Sequence, residues 1–139
     1  VDLPTGRFRP VNPAAEGTVY APVPFVVDPH RVAAFRAVFG LSEGVPPTFL
    51  TAAEFAAFPP ILGDPRLGLD FSRVLHGSQE YEYLRPLRDG ETITVHARIE
   101  AIRSKGANGF MTVVMEMIDA DGAPVAVARS TLIERGADA

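Results

Sequence analysis

Residues 93–100 read Ile-Thr-Val-His-Ala-Arg-Ile-Glu, apolar and polar side chains in strict alternation. Side chains that switch face at every residue belong to a strand, here with Ile93, Val95, Ala97 and Ile99 turned to a core and Thr94, His96, Arg98 and Glu100 turned away. A lone strand is unstable in water, so its neighbours must be found in the sequence. Residues 74–84 predict one strand before it, and Arg85-Pro86-Leu87-Arg88-Asp89-Gly90 predicts a turn, with Asp89-Gly90 as the signal for positive φ. Lys105-Gly106-Ala107-Asn108-Gly109 predicts a second turn leading into 110–118. Asp119-Ala120-Asp121-Gly122 predicts a third, leading into 124–135. An antiparallel meander is expected from residue 74 onward.

The first 73 residues carry different signals. Pro4, Pro10, Pro13, Pro22 and Pro24 remove backbone donors and resist both helix and central strand, so residues 1–24 are expected to form an extended lead-in. Asp28-Pro29 offers an N-cap acceptor followed by a proline at the first helical position. Val32, Phe35 and Phe39 then recur at helical spacing until Gly40, which predicts a first helix packed on a sheet. A second helix is expected over 48–58, ended by Pro59-Pro60. Its N-cap is either Thr48 or Thr51, the latter forming a capping box with Glu54. Its alanines let a sheet approach closely while its phenylalanines fill the space around it. Residues 61–73 read as a connecting loop. Helices that precede the strands rather than alternate with them make the class α+β.

The 139 residues fit one domain, taken as 1–139. A formal net charge of −4 gives nucleic-acid binding no electrostatic source. No apolar stretch reaches the roughly 20 residues that a membrane helix needs, and no signal-like segment is seen, so neither membrane nor secretion is expected and the cytoplasm is the expected compartment. The absence of cysteine excludes thiolate chemistry from these residues. No histidines and carboxylates cluster at a metal-ligand spacing, and neither metal nor other cofactor is expected.

Three stretches narrow the fold further: AFRAVFG at 34–40, PPTF at 46–49 and HGSQEYEYLRPLRDGE at 76–91. In these the chain resembles the MaoC-like dehydratase superfamily, specifically the FAS1-like dehydratase amino-terminal type of (3R)-hydroxyacyl-thioester dehydratase subunits. The resemblance runs over about residues 20–135. It implies a hot-dog fold, an antiparallel curved sheet wrapped around a central helix. It also implies a reaction, the reversible loss of water from a 3-hydroxyacyl group carried as a thioester on coenzyme A or acyl carrier protein. That chemistry needs an acid–base group and donors for the thioester oxygen. The resemblance puts the donors at the start of the central helix, near Thr48 and Phe49.

Catalytic members of the superfamily carry a motif GDxNPxH after the first helix. This chain has Gly40-Leu41-Ser42-Glu43-Gly44-Val45-Pro46 there, without aspartate, asparagine or histidine. The resemblance therefore implies the half of a double hot-dog enzyme that holds the substrate, active as a hydro-lyase only beside a hot-dog partner that bears the Asp and His. Homodimer and heterodimer both remain open. Glu43 reads as a loop carboxylate, and His30 and His96 as surface residues. His76 opens the segment that carries the resemblance and, with Glu54, is a catalytic candidate. Gln79, Tyr81 and Arg85 share one face of the first predicted strand and join Thr48, Phe49 and His76 as candidate substrate-binding residues. Two other readings compete: a hot-dog acyl-CoA thioesterase using Glu54 on the central helix, and a non-catalytic acyl-thioester binding module.

Overall fold

The alternating segment is second in space in an antiparallel sheet that has five strands among the described residues. In chain order the strands are β1 (Val23–Val26), β2 (Val74–Tyr83), β3 (Thr92–Lys105), β4 (Asn108–Ile118) and β5 (Pro124–Glu134), arranged in space as β1-β3-β4-β5-β2. Two helices, α1 (Pro29–Val38) and α2 (Leu50–Leu62), lie between β1 and β2 in the sequence. The computed structural model describes residues 10–136. Pro4, with the rest of the lead-in before residue 10, and residues 137–139 lie outside the described residues.

In β3 the expected inward set is the buried set: Ile93, Val95 and Ile99 have no exposed surface and Ala97 retains 3%. Burial of each aliphatic side chain contributes about 1.5–3 kcal/mol, which fixes the register, since a one-residue slip would turn the whole set to the far face. Thr94, His96, Arg98 and Glu100 are half-buried. Against this sheet lies α2, whose buried residues Leu50, Ala53, Glu54, Ala57, Phe58 and Ile61 follow one helical stripe. Ala53 and Ala57 keep the helix axis close to the strands. The curved antiparallel sheet around a central helix is the hot-dog arrangement that the resemblance implied.

Helix α1 begins as expected, with Asp28 accepting a hydrogen bond from the His30 backbone N–H at 2.9 Å and Pro29 in the first turn. Only Val32 is fully buried in it; Phe35 packs edge-on against Phe49 with centroids 5.6 Å apart, whereas Phe39 remains exposed.

Four expectations are corrected. The lead-in is not extended throughout: Pro13–Ala15 form a 3-10 turn, and its end belongs to β1, which pairs with β3 in the register Val23↔Val95. Pro24 is tolerated there because β1 is an edge strand and no ladder partner needs its missing N–H. Helix α2 does not end before Pro59-Pro60 but runs through both prolines to Leu62. Burial of Phe58 and Ile61 offsets the lost donors, and the Gly63 N–H closes the end on Pro59 O at 3.0 Å. Neither Thr48 nor Thr51 caps it; a 3-10 turn over Pro47–Phe49 leads in, and Phe49 occupies the cap with no side-chain bond. Finally, the meander comprises β3, β4 and β5 alone. β2 pairs with β5 at the opposite edge. Gly90 does adopt φ 77°, but its N–H bonds Val27 O at 2.8 Å and Val27 N–H bonds Glu91 O at 2.8 Å. The corner thus hands the chain to the β1 side instead of folding it back on β2.

Arg85 fastens that corner. Its guanidinium reaches Glu91 at 2.7 Å and Asp119 at 3.2 Å, joining the β2–β3 connection to the β4–β5 turn. The Arg85 hydrogen bond holds the Glu91 carboxyl below its ordinary range. The Ala123 backbone N–H, followed by Arg85, does the same for Asp119. A depressed folded-state carboxyl contributes stability above the unfolded value, near pH 4, that is lost as pH falls through the folded value. Arg85→Met is therefore expected to lower the urea midpoint at pH 7 and to flatten its fall on acidification below about pH 4. Urea titrations at pH 7, 4 and 2.5 test this. An unchanged acid limb would remove Arg85 as the cause.

Candidate functional site

Because α2 presents Glu54 within its buried stripe, a carboxylate faces the sheet where an apolar residue is the rule. Its side chain is 1% exposed. Three groups from two strands meet it: Gln79 Nε2 donates to Oε1 at 2.9 Å, Ser130 Oγ lies 3.0 Å from Oε1, and Tyr81 Oη donates to Oε2 in a short hydrogen bond. Thr51, one helical turn before Glu54, bonds the Tyr81 hydroxyl at 2.7 Å. Ser130 Oγ donates its one hydrogen to Gln79 Oε1 at 2.7 Å, and with Glu54 accepting from Nε2 this orients the amide. Burial, and then the bond to Glu54, push the Tyr81 hydroxyl well above its ordinary range, so it stays a donor. The capping-box role of Glu54 is thereby corrected. Its carboxylate turns away from the helix start and ties α2 to β2 and β5.

Beside this network opens a cavity of about 260 Å³ between α2 and the β2–β5 edge. Phe55, Phe58, Leu62, Phe71, Val74 and Leu132 make most of its wall. Thr51, Glu54, His76 and Gln79 supply its polar groups. His76 stands at a β-bulge, where the β2–β5 register shifts between His76 and Ser78. Gly77 permits the bulge, since a Cβ there would stand 2.6 Å from Ile133 Cδ1. The exposed His76 ring places Nε2 3.1 Å from Ser78 O.

The structure thus gathers Glu54, His76, Gln79 and Tyr81 at one place and leaves three other candidates outside it. Thr48 is exposed. Phe49 is a core residue, 2% exposed, whose ring also meets Phe25 at 6.2 Å. Its N–H bonds Pro46 O at 2.9 Å, and the Leu50 N–H returns to Pro47 O, so the turn takes up these two amides. Arg85 lies on a separate notch of about 400 Å³ with Pro46, Pro47 and Leu84, its charge engaged by Glu91 and Asp119. Tyr83 donates to Pro47 O at 2.6 Å, pinning β2 to the turn before α2. Glu43 is exposed in the loop where the Asp and His motif is missing, and His30 is exposed on α1. His96 is half-buried opposite Glu116 on β4.

Sequence reading missed Ser130 and the hydroxyl contact of Thr51. For Ser130 a signal existed: Ala126, Ala128, Ser130, Leu132 and Glu134 are the inward set of β5, and a serine among apolar residues marks a polar need in the core. Among the described residues no group of three or more His, Asp or Glu is placed to hold a metal ion, and no helix is long and apolar enough to cross a membrane.

Comparison with known proteins places this architecture. The family described as "FAS1-like, dehydratase domain region" matches residues 31–128. A UPF0336 protein of Saccharopolyspora erythraea is 41% identical over 91 residues, 66% of this chain and 58% of that protein. A UPF0336 protein of Leifsonia xyli is 34% identical over 91% of this chain and 97% of its own length. The chain thus spans under two thirds of the Saccharopolyspora relative but nearly all of the Leifsonia one. Among solved structures, the HadBC (3R-hydroxyacyl-ACP dehydratase) complex of Mycobacterium tuberculosis superposes with a TM-score of 0.72 at 15% identity, covering 86% of this chain and 96% of that one. A MaoC-like dehydratase of Phytophthora capsici gives 0.74 at 22% identity, covering 91% of this chain and 51% of that one. At such identities these two establish the fold. With the family match over most of its length, the chain belongs to the FAS1-like dehydratase domain family, and it has the hot-dog fold.

Proposed function

We propose that this chain is the substrate-holding half of a 3-hydroxyacyl-thioester dehydratase, and that a second hot-dog chain bearing the Asp and His motif supplies the proton chemistry. The observation that carries this reading is the state of Glu54. The one carboxylate at the apolar cavity already meets Gln79, Tyr81 and Ser130, and it serves to hold helix and sheet together rather than to move a proton. A general base must have a lone pair within reach of the proton it takes, and here little of the carboxylate is left for water. The same geometry weighs against the thioesterase reading.

Two features support a partner. Among the described residues β2 ends the sheet, paired only to β5, and carries exposed Leu75 and Tyr83 along that edge. The Mycobacterium tuberculosis structure of the same fold is itself a complex described as a (3R)-hydroxyacyl-ACP dehydratase. The carrier is coenzyme A or acyl carrier protein, and the compartment is the cytoplasm.

The purified chain alone is expected to show no hydration of a trans-2-enoyl-CoA, followed by loss of enoyl absorbance, and no release of free thiol. Mixing with a hot-dog chain from the same genome that carries the Asp and His motif is expected to produce hydration, with the two eluting together from a sizing column. Robust turnover by the chain alone, abolished by His76→Ala, would overturn the division of labour. Thiol release abolished by Glu54→Gln would establish the thioesterase instead.

A further inference from the structure

The cavity beside α2 is apolar except at one corner, and the hydrogen-bonding capacity left open there is specific. Gln79 has two amide hydrogens. One goes to Glu54 at 2.9 Å, and the amide is held in this orientation because a flip would turn its oxygen onto the accepting Glu54 oxygen; Ser130 stands 2.7 Å from the amide oxygen. The second hydrogen has no partner among the described residues, and Gln79 lines the cavity. His76 lines it as well. Its Nε2 stands 3.1 Å from the Ser78 carbonyl, which can only accept, so the neutral ring carries its proton on Nε2 and presents Nδ1 as an acceptor.

We infer that Gln79 and His76 form a hydroxyl-reading pair, in which the 3-hydroxyl of an acyl thioester accepts from the Gln79 amide and donates to His76 Nδ1. This rests on the substrate-holding reading above and deepens it, because it makes the non-catalytic half a reader of oxidation state rather than only an apolar wall. A hydroxyl satisfies both groups. A 3-oxo group accepts from Gln79 but offers His76 nothing, and a methylene satisfies neither. Ser130 acts through Gln79 as a positioning residue, holding the amide so that a donor and not the carbonyl faces the cavity.

The test is calorimetric titration of the purified chain with 3-hydroxyoctanoyl-CoA, 3-oxooctanoyl-CoA and octanoyl-CoA. One neutral hydrogen bond corresponds to about 3- to 10-fold in affinity, so the hydroxy ligand is expected to bind about 3- to 10-fold more tightly than the oxo ligand, and the oxo ligand more tightly than octanoyl-CoA by a similar factor. His76→Phe keeps a ring at an exposed position. It is expected to abolish the preference for hydroxy over oxo, read as the ratio of the two affinities within the variant. Gln79→Leu is expected to abolish the preference of both oxygenated ligands over octanoyl-CoA. Should Gln79→Leu fail to fold, the His76→Phe arm decides the inference alone. Equal affinity of the wild-type chain for all three ligands, or a hydroxy preference that survives His76→Phe, overturns the hydroxyl-reading pair and leaves the substrate-holding reading intact. Failure of all three thioesters to bind overturns both.

Discussion

Glu54→Leu is expected to lower the stability of the chain by about 4 kcal/mol, because the substitution leaves buried polar partners behind and each unsatisfied group costs about 1–3 kcal/mol. Gln79 loses an acceptor, Tyr81 loses an acceptor at the helix–sheet contact, and Ser130 loses one of its two contacts. Leucine returns some apolar burial but cannot satisfy those groups. For a domain of this size, a loss of that order corresponds to a fall in Tm of roughly 10–20 °C. Glu54→Gln keeps the shape and one oxygen and is expected to lose about a third as much, on the order of 1–1.5 kcal/mol, one neutral hydrogen bond's worth. Parallel thermal and urea unfolding of the two variants measures the difference. Equal and small losses would show that the carboxylate is not a structural tie, and would return Glu54 to candidacy as a general base.

Ile61→Ala is expected to cost about 3 kcal/mol, in the range for removing a fully buried large aliphatic side chain. The value tests the continuation of α2 through Pro59 and Pro60. Ile61 lies beyond both prolines and has no exposed surface. Leu62→Ala, one residue on at a half-buried position, is expected to cost less, about 1 kcal/mol. A helix that ended at Phe58 would leave Ile61 in a loop, where its truncation would change the urea midpoint little. Isolated helix propensity, by which a proline costs about 3 kcal/mol in a helix interior, points to that shorter helix. The two predictions thus concern one cause: α2 is held by what it buries, not by what it would do in solution.

Most of the fold was legible because its signals are local. Strict alternation at 93–100, Asp28-Pro29 before α1, and the glycine-rich turns each act over a few residues, and each forms where expected. The candidate site was legible only in part. Gln79, Tyr81 and His76 were named because they share one strand in a recognisable segment, and the fold brings that segment beside Glu54. Thr48 and Phe49 were named for amides at a helix start, and the 3-10 turn there takes up the Phe49 N–H. Arg85 was named for its face, and its guanidinium pairs with Glu91 and with Asp119, thirty-four residues away on another turn.

The sequence by itself determined which stretches become strands and helices, because side-chain periodicity and turn chemistry depend on neighbours along the chain. Tertiary structure alone decided where β2 lies, how far α2 runs, and what Glu54 does. Each of these depends on burial against residues far away in sequence. Glu54 and Ser130 stand seventy-six residues apart, yet 3.0 Å separates their oxygens. From sequence spacing, Glu54 is a helix-capping residue. In the folded chain the water around it is gone, and a buried carboxylate must find its partners across the sheet.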